Sequence, residues 1–114
     1  MLVNSKLTIY HNDKNGRNPK WIKQGPFKIW WYGGEGASYN KGLENSNDVK
    51  IRLWKDINDL SNLEVSVGDI LVKGDIDKEI SMQSDLKDFE DVYNITSIID
   101  NDFGLNKHIH IEGK

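Results

Sequence analysis

The chain has 114 residues, enough for one hydrophobic core and too few for two, so a single domain over residues 1–114 is expected. It has no cysteine, which excludes a thiol nucleophile, a Cys-ligated zinc and a disulfide framework. It also lacks a membrane-length apolar run and a secretion-signal pattern, so a soluble chain that stays inside the cell, away from membranes, is expected. The net charge of −3 hides an asymmetry: Met1 to Ile57 holds 10 Lys/Arg against 5 Asp/Glu, and Asn58 to Lys114 holds 5 against 13. That balance argues against polyanion binding by the whole chain and suits copies that meet head to tail, basic surface to acidic surface.

Period-two alternation, the signature of strands, dominates from the start. In "LTIY" Leu7 and Ile9 share one face, with Thr8 and Tyr10 on the other. "FKIWWY" sets Phe27, Ile29 and Trp31 against Lys28, Trp30 and Tyr32, and "VKIRLW" sets Val49, Ile51 and Leu53 against Lys50, Arg52 and Trp54. "DILVKG" (Ile70, Val72), "VYNITSIID" (Tyr93, Ile95, Ile99) and "HIHIEG" (Ile109, Ile111) bring the total to about six strands. Clusters rich in Asn, Asp and Gly separate them and read as reversals. One short α-helix is expected from about Ser84 to Glu90: Ser84 caps it, and Met82, Leu86 and Phe89 dock on the sheet. A mainly β fold follows, a single small antiparallel β-barrel of about six strands, closed because an open edge invites aggregation. The expected core is Phe27, Ile29, Trp31, Ile51, Leu53, Val72, Ile95 and Ile109.

If the second and third strands form a hairpin, Trp30, Tyr32, Arg52 and Trp54 make an outward block of aromatics and cations. A covered tryptophan buries about 150–250 Å², so an exposed pair leaves stabilisation that a covering surface recovers. Four covers fit: a protein partner, single-stranded nucleic acid stacked on the rings, a sugar, or the chain's own Gly-rich loop at 33–48. In that loop Gly33, Gly34, Glu35, Gly36, Tyr39, Lys41 and Gly42 are the candidate assembly or gating residues, since a long loop in a compact domain usually binds or orders. No Walker lysine or helix follows "GGEG", which argues against a phosphate cradle.

Signals of chemistry are thin, and no catalytic residue and no cofactor is assigned. His108 and His110 lie on one strand face, and His11 or Asp100 is the candidate to complete a metal site. A two-His face is more often polar alternation. "DKNGR" from Asp13 and "DIDKE" from Asp75 are similar to parts of a calcium loop but lack its full ligand series. The pairs Asp75 with Asp77, and Asp100 with Asp102, suit acid–base work only if desolvated.

The segments "VGDILVKGDIDKEI" and "SDLKDFEDVYNITSIIDNDFGLNKHIHIEGK" resemble the C-terminal half of small phage and prophage proteins of Gram-positive hosts, encoded among head and tail genes. The matched features are Gly68-Asp69, Val72-Lys73-Gly74, Glu79-Ile80, Ser84-Asp85-Leu86, Asp100-Asn101 with Gly104, and His110 with Gly113. "LTIYHN" and the tryptophan-bearing second strand look similar too, whereas 33–48 has no match. The resemblance covers most of the chain with a scaffold of turns and carries no catalytic signature. It implies a head-tail connector (head-completion, stopper or minor capsid protein), a non-enzymatic structural component of the virion neck. Such a protein assembles as a homo-oligomeric ring between portal or adaptor and tail proteins. It passes double-stranded DNA without sequence-specific binding, and it moves from the host cytoplasm into the virion. The alternatives are a single-strand nucleic-acid-binding barrel and, more weakly, a metal-dependent enzyme.

Overall fold

A computed structural model describes residues 3–14, 20–33, 48–89, 91–102, 104 and 107–114. Six strands form: β1 (Ser5–Asp13), β2 (Lys20–Gly33), β3 (Val49–Trp54), β4 (Ile70–Lys73), β5 (Val92–Asn101) and β6 (His108–Gly113). Every neighbouring pair is antiparallel, and the order β1-β2-β3-β6-β5-β4 closes into a barrel. Closure gives every strand two ladder neighbours, so no strand lies wholly at a sheet edge. It also sets the β1–β4 flank diametrically opposite the β3–β6 flank.

The barrel is filled by inward residues of all six strands: Leu7 and Ile9, Phe27, Ile29 and Trp31, Val49, Ile51 and Leu53, Leu71, Ile95, and Ile111. The β3–β4 connection contributes Leu60, Leu63 and Val65 to the same cluster. Gln24 fastens this strap, because its side-chain amide donates to the Glu64 carbonyl (2.6 Å) and accepts from the Glu64 N–H (2.8 Å). β2 bends where it slips register against β1, between the Leu7–Phe27 and Ile9–Gln24 pairs. Gly25 sits at the slip with φ +108°, and a Cβ there would lie 2.7 Å from the Leu7 carbonyl, so glycine is required.

A second cluster lies outside the barrel. Tyr10, Ile70 and Val72 point outward from β1 and β4 and are covered by Ile80 and Leu86 from the β4–β5 connection, with Ile76 and Phe89 at its margin. Polar ties hold this sheath. Thr8 Oγ1 donates to the Gly74 carbonyl (2.8 Å) and accepts from the Ile76 N–H (3.0 Å), and the Tyr10 hydroxyl donates to the Lys78 carbonyl.

Three expectations are corrected here. The helix at 84–90 is instead a single 3-10 turn at Gln83–Leu86, whose Leu86 is buried while Met82 is exposed; Glu90 lies outside the described residues. Four residues suffice, since Asp85 accepts from the Ser81 and Met82 N–H groups (2.9 and 3.2 Å) and sets the turn alone. Val72 belongs to the sheath cluster, and Leu71 takes the inward place, because β4 is buried on both faces. Ile99 points outward and is 50% exposed, as a slip between Ile95 and Ser97 inverts the parity of β5.

Candidate functional site

The two flanks differ in cover. β1–β4 is wrapped by the chain's own 74–89 segment, whereas β2, β3, β6 and β5 present outward side chains in rows. The ladder places Tyr32 by Lys50, Lys50 by Glu112 and Glu112 by Ser97 in one row. The next holds Trp30 by Arg52, Arg52 by His110 and His110 by Ile99. The predicted hairpin therefore exists, and it gathers Trp30, Tyr32 and Arg52 into one patch.

The patch is preorganised. Trp30 and Tyr32 stack with ring centres 5.6 Å apart and planes 8° from parallel. The Arg52 guanidinium carbon lies 5.3 Å from the centre of the Trp30 ring, within cation–π range. Trp30 is half-buried by these neighbours, and Tyr32 is left 60% exposed. On β6 His110 Nε2 lies 3.6 Å from Glu112 Oε2, which places one carboxylate at the margin of the cationic rows. With Ile99 at the far side, the surface is an aromatic centre with cations and one further apolar side chain. This is the composition that dominates protein-binding hot spots.

Trp54 does not join it. Its parity is outward, but the ring is only 3% exposed, with His108, its register partner, edge-on at 5.4 Å. β3 ends there, and the bend that follows is clipped back: Asn58 donates to the Trp54 and Lys28 carbonyls (both 2.8 Å) and accepts from the Lys28 N–H (2.7 Å). Trp54 is a rim residue covered by its own chain.

Of the loop residues, Gly33 ends β2 at φ +92°, paired with Val49. A Cβ there would approach the Asp48 carbonyl to 2.4 Å, so close backbone approach explains this glycine. Gly34, Glu35, Gly36, Tyr39, Lys41 and Gly42 lie outside the described residues.

The candidate metal ligands are dispersed. His108 and His110 share the outward face of β6, with His108 Nε2 3.2 Å from Asn101 Nδ2, while His11 is on β1, the strand opposite β6. Asp100 and Asp102 both engage Lys55 Nζ (2.5 and 3.2 Å), and the bond to Asp100 is the chief cause that raises the Lys55 pKa. Asp77 meets Lys23 at 3.4 Å. Among the described residues no three His, Cys, Asp or Glu side chains are grouped to hold a metal ion.

One polar cluster was not anticipated. Asp69 is 2% exposed and accepts from His11 Nδ1 (2.7 Å), the Asn12 N–H (3.2 Å) and the Ser66 N–H (2.8 Å), while His11 Nε2 faces Glu64 at 3.6 Å. A buried carboxylate orienting an imidazole is a general-base arrangement in principle. Here every partner belongs to β1 or the 55–69 strap, so the cluster fastens the strap over the barrel end. Its only sequence signal was "GD" before an apolar run, a pattern shared with any turn.

Residues 2–114 match the model of a family described as a family of unknown function (DUF6751). No curated protein and no solved structure matches the chain.

Proposed function

We propose that this chain, which belongs to DUF6751, is a structural subunit of a phage or prophage virion neck, a head-tail connector that works by ring assembly between portal and tail. The supporting observation is a contrast among the described residues: the β1–β4 side of the barrel is sheathed by the 74–89 segment, and the β2–β3 hairpin presents a stacked Trp30–Tyr32 pair beside Arg52 and Lys50, with Tyr32, Lys50 and Arg52 exposed. A small domain gains little from preorganising such a surface unless another polypeptide covers it. The sequence resemblance to connector proteins supplies the setting. Under this reading the chain has no catalytic role, and it is made in the host cytoplasm and retained in the virion.

The test is the protein composition of tailed particles released from a host that carries the gene. The subunit is expected in intact particles and, when co-expressed, bound to portal rings. Its absence from both contradicts the reading.

The same Arg52–Trp30–Tyr32 arrangement favours one alternative, a single-strand nucleic-acid binder that stacks a base on Tyr32. Tight, salt-sensitive binding of an oligonucleotide with quenching of tryptophan fluorescence would select it. The connector reading expects no such titration.

A further inference from the structure

β4 has 4 residues and its neighbour β5 has 10, so β5 outruns the barrel wall on that side. The β4–β5 pairing spans 92–94. Next, the Gly68 N–H donates to the Ile95 carbonyl and the Ile95 N–H to the Asp69 carbonyl (both 2.8 Å). There the neighbouring chain turns away, closed by the Asp69 N–H bond to the Ser66 carbonyl (3.1 Å). Over 97–101 β5 is paired with β6 alone. In an antiparallel ladder, alternate residues turn their N–H and C=O away from the partner strand. Among the described residues, no strand and no side chain bonds the far edge of 97–101.

A second open stretch shows what a protected edge looks like. β3 pairs with β2 only over 29–33, which leaves 20–28 with β1 on one side and, among the described residues, no strand on the other. That stretch carries Lys20, Lys23, Pro26 and Lys28, and the side-chain amide of Asn58 takes both main-chain groups of Lys28 (2.7 and 2.8 Å). Lysine, proline and a covering segment keep an edge from recruiting strands. The β5 edge has neither lysine nor proline. Its one charge, Asp100, is engaged by Lys55 Nζ (2.5 Å). The slip at Thr96 turns Ile99 outward, half exposed, and Val67, next to the Gly68 that ends the neighbouring line, is 65% exposed.

We infer that 97–101 of β5 is a docking edge on which an extended segment of another polypeptide adds a strand in line with β4. A row of main-chain donors and acceptors is matched only by another extended main chain, which identifies the occupant by its chemistry. Neighbouring strands lie about 4.8 Å apart, so the added residue opposite Ile99 continues the outward row of Trp30, Arg52, His110 and Ile99. A β-branched or aromatic residue suits that place, and an acidic residue opposite Asp100 is disfavoured as a like-charge pair. This edge exists whether or not the chain is a neck subunit, so the two readings stand or fall separately.

The probe is a capped heptapeptide, Lys-Thr-Val-Thr-Val-Thr-Lys, whose valines suit the row and whose lysines keep it soluble. It is titrated into the full-length isotope-labelled chain up to roughly 5 mM, where a contact of millimolar Kd is populated. Amide shifts are expected over 97–101 and 66–68, with exchange slowed about threefold or more at alternate residues of 97–101. The same peptide N-methylated along its length has no main-chain donors and is expected to leave both unchanged. Ile99→Lys, at a half-exposed position, is expected to keep the fold and weaken the apparent Kd about three- to fivefold, the size of one cross-strand pair. No response to the first peptide, equal response to both, shifts on 20–28 instead, or indifference to Ile99→Lys would each overturn the inference. So would slowed exchange at 97–101 that rises with protein concentration alone, which is two β5 edges pairing. Peptide uptake by a chain absent from tailed particles would keep the edge and remove the neck reading. No uptake by a chain present in them would do the reverse.

Discussion

Arg52 stands opposite Trp30 in the β2–β3 ladder and holds its guanidinium carbon 5.3 Å from the centre of the indole ring. Because Trp30 also stacks on Tyr32, the three side chains are fixed by one another before any partner arrives, which lowers the ordering cost of association.

Removing the cation therefore separates folding from assembly. Arg52 is exposed, and an exposed cation–π contact is worth about 0.5–1 kcal/mol. Arg52→Ala is expected to lower unfolding free energy by about that much in a urea titration while abolishing self-association in sedimentation. Tyr32→Ala is expected to behave alike.

The sheath depends on Tyr10, which is fully buried and donates to the Lys78 carbonyl. Tyr10→Phe leaves that carbonyl without its donor and is expected to cost about 1–2 kcal/mol. Backbone hydrogen exchange should quicken across 76–89 more than in the barrel strands.

The same residue gives the fold an alkaline limb. Burial, reinforced by the nearby Asp77 carboxylate, raises the Tyr10 pKa above the ordinary tyrosine value. The folded state then favours the neutral phenol, so this contribution is complete below a pH of about 10 and falls as pH rises through the higher folded value. Tyr10→Phe should remove that limb from a plot of stability against pH.

Asp85 gives an acid limb of opposite sign. The N–H groups of Ser81 and then Met82 hold its carboxyl below the usual range, with the charge of Lys78 adding to them. Its contribution is present above the ordinary aspartate value of about 3.9 and disappears as pH falls through the lower folded value. Loss of exchange protection in 80–89 on acidification is expected, and Asp85→Ala should show that loss already at neutral pH.

Asp69 is the most sensitive polar residue of the barrel end. Asp69→Ala leaves the His11 Nδ1–H and the N–H groups of Asn12 and Ser66 without their acceptor. A cost of about 2–4 kcal/mol in chemical denaturation is expected.

Strand positions and barrel class were legible because each strand except β4 pairs an apolar face with a polar or mixed one, and alternation reports that directly. Where both faces are apolar the rule loses its sign: in Ile70-Leu71-Val72 nothing local tells which residue looks inward, and only the sheath over Tyr10 decides. A register slip has no sequence mark either, so Ile99, which alternation sets on the same side as Ile95, instead faces outward beside His110. Trp54 shows the converse limit. Its parity is outward, yet the residue is only 3% exposed, with the ring of His108, a residue distant in sequence, edge-on against it. The Trp30, Tyr32 and Arg52 patch was legible because hairpin register follows from two adjacent alternating runs.

The central claim is that another polypeptide covers the Trp30–Tyr32 face in the assembled state. Hydroxyl-radical labelling, read residue by residue in the free chain and in portal-bound or particle-bound protein, tests it most directly. The account predicts that Tyr32, 60% exposed in the free chain, is labelled there and protected on assembly, along with Ile99, while exposed Val67 at the strap end stays labelled in both. Equal labelling of Tyr32 in the two states would contradict it.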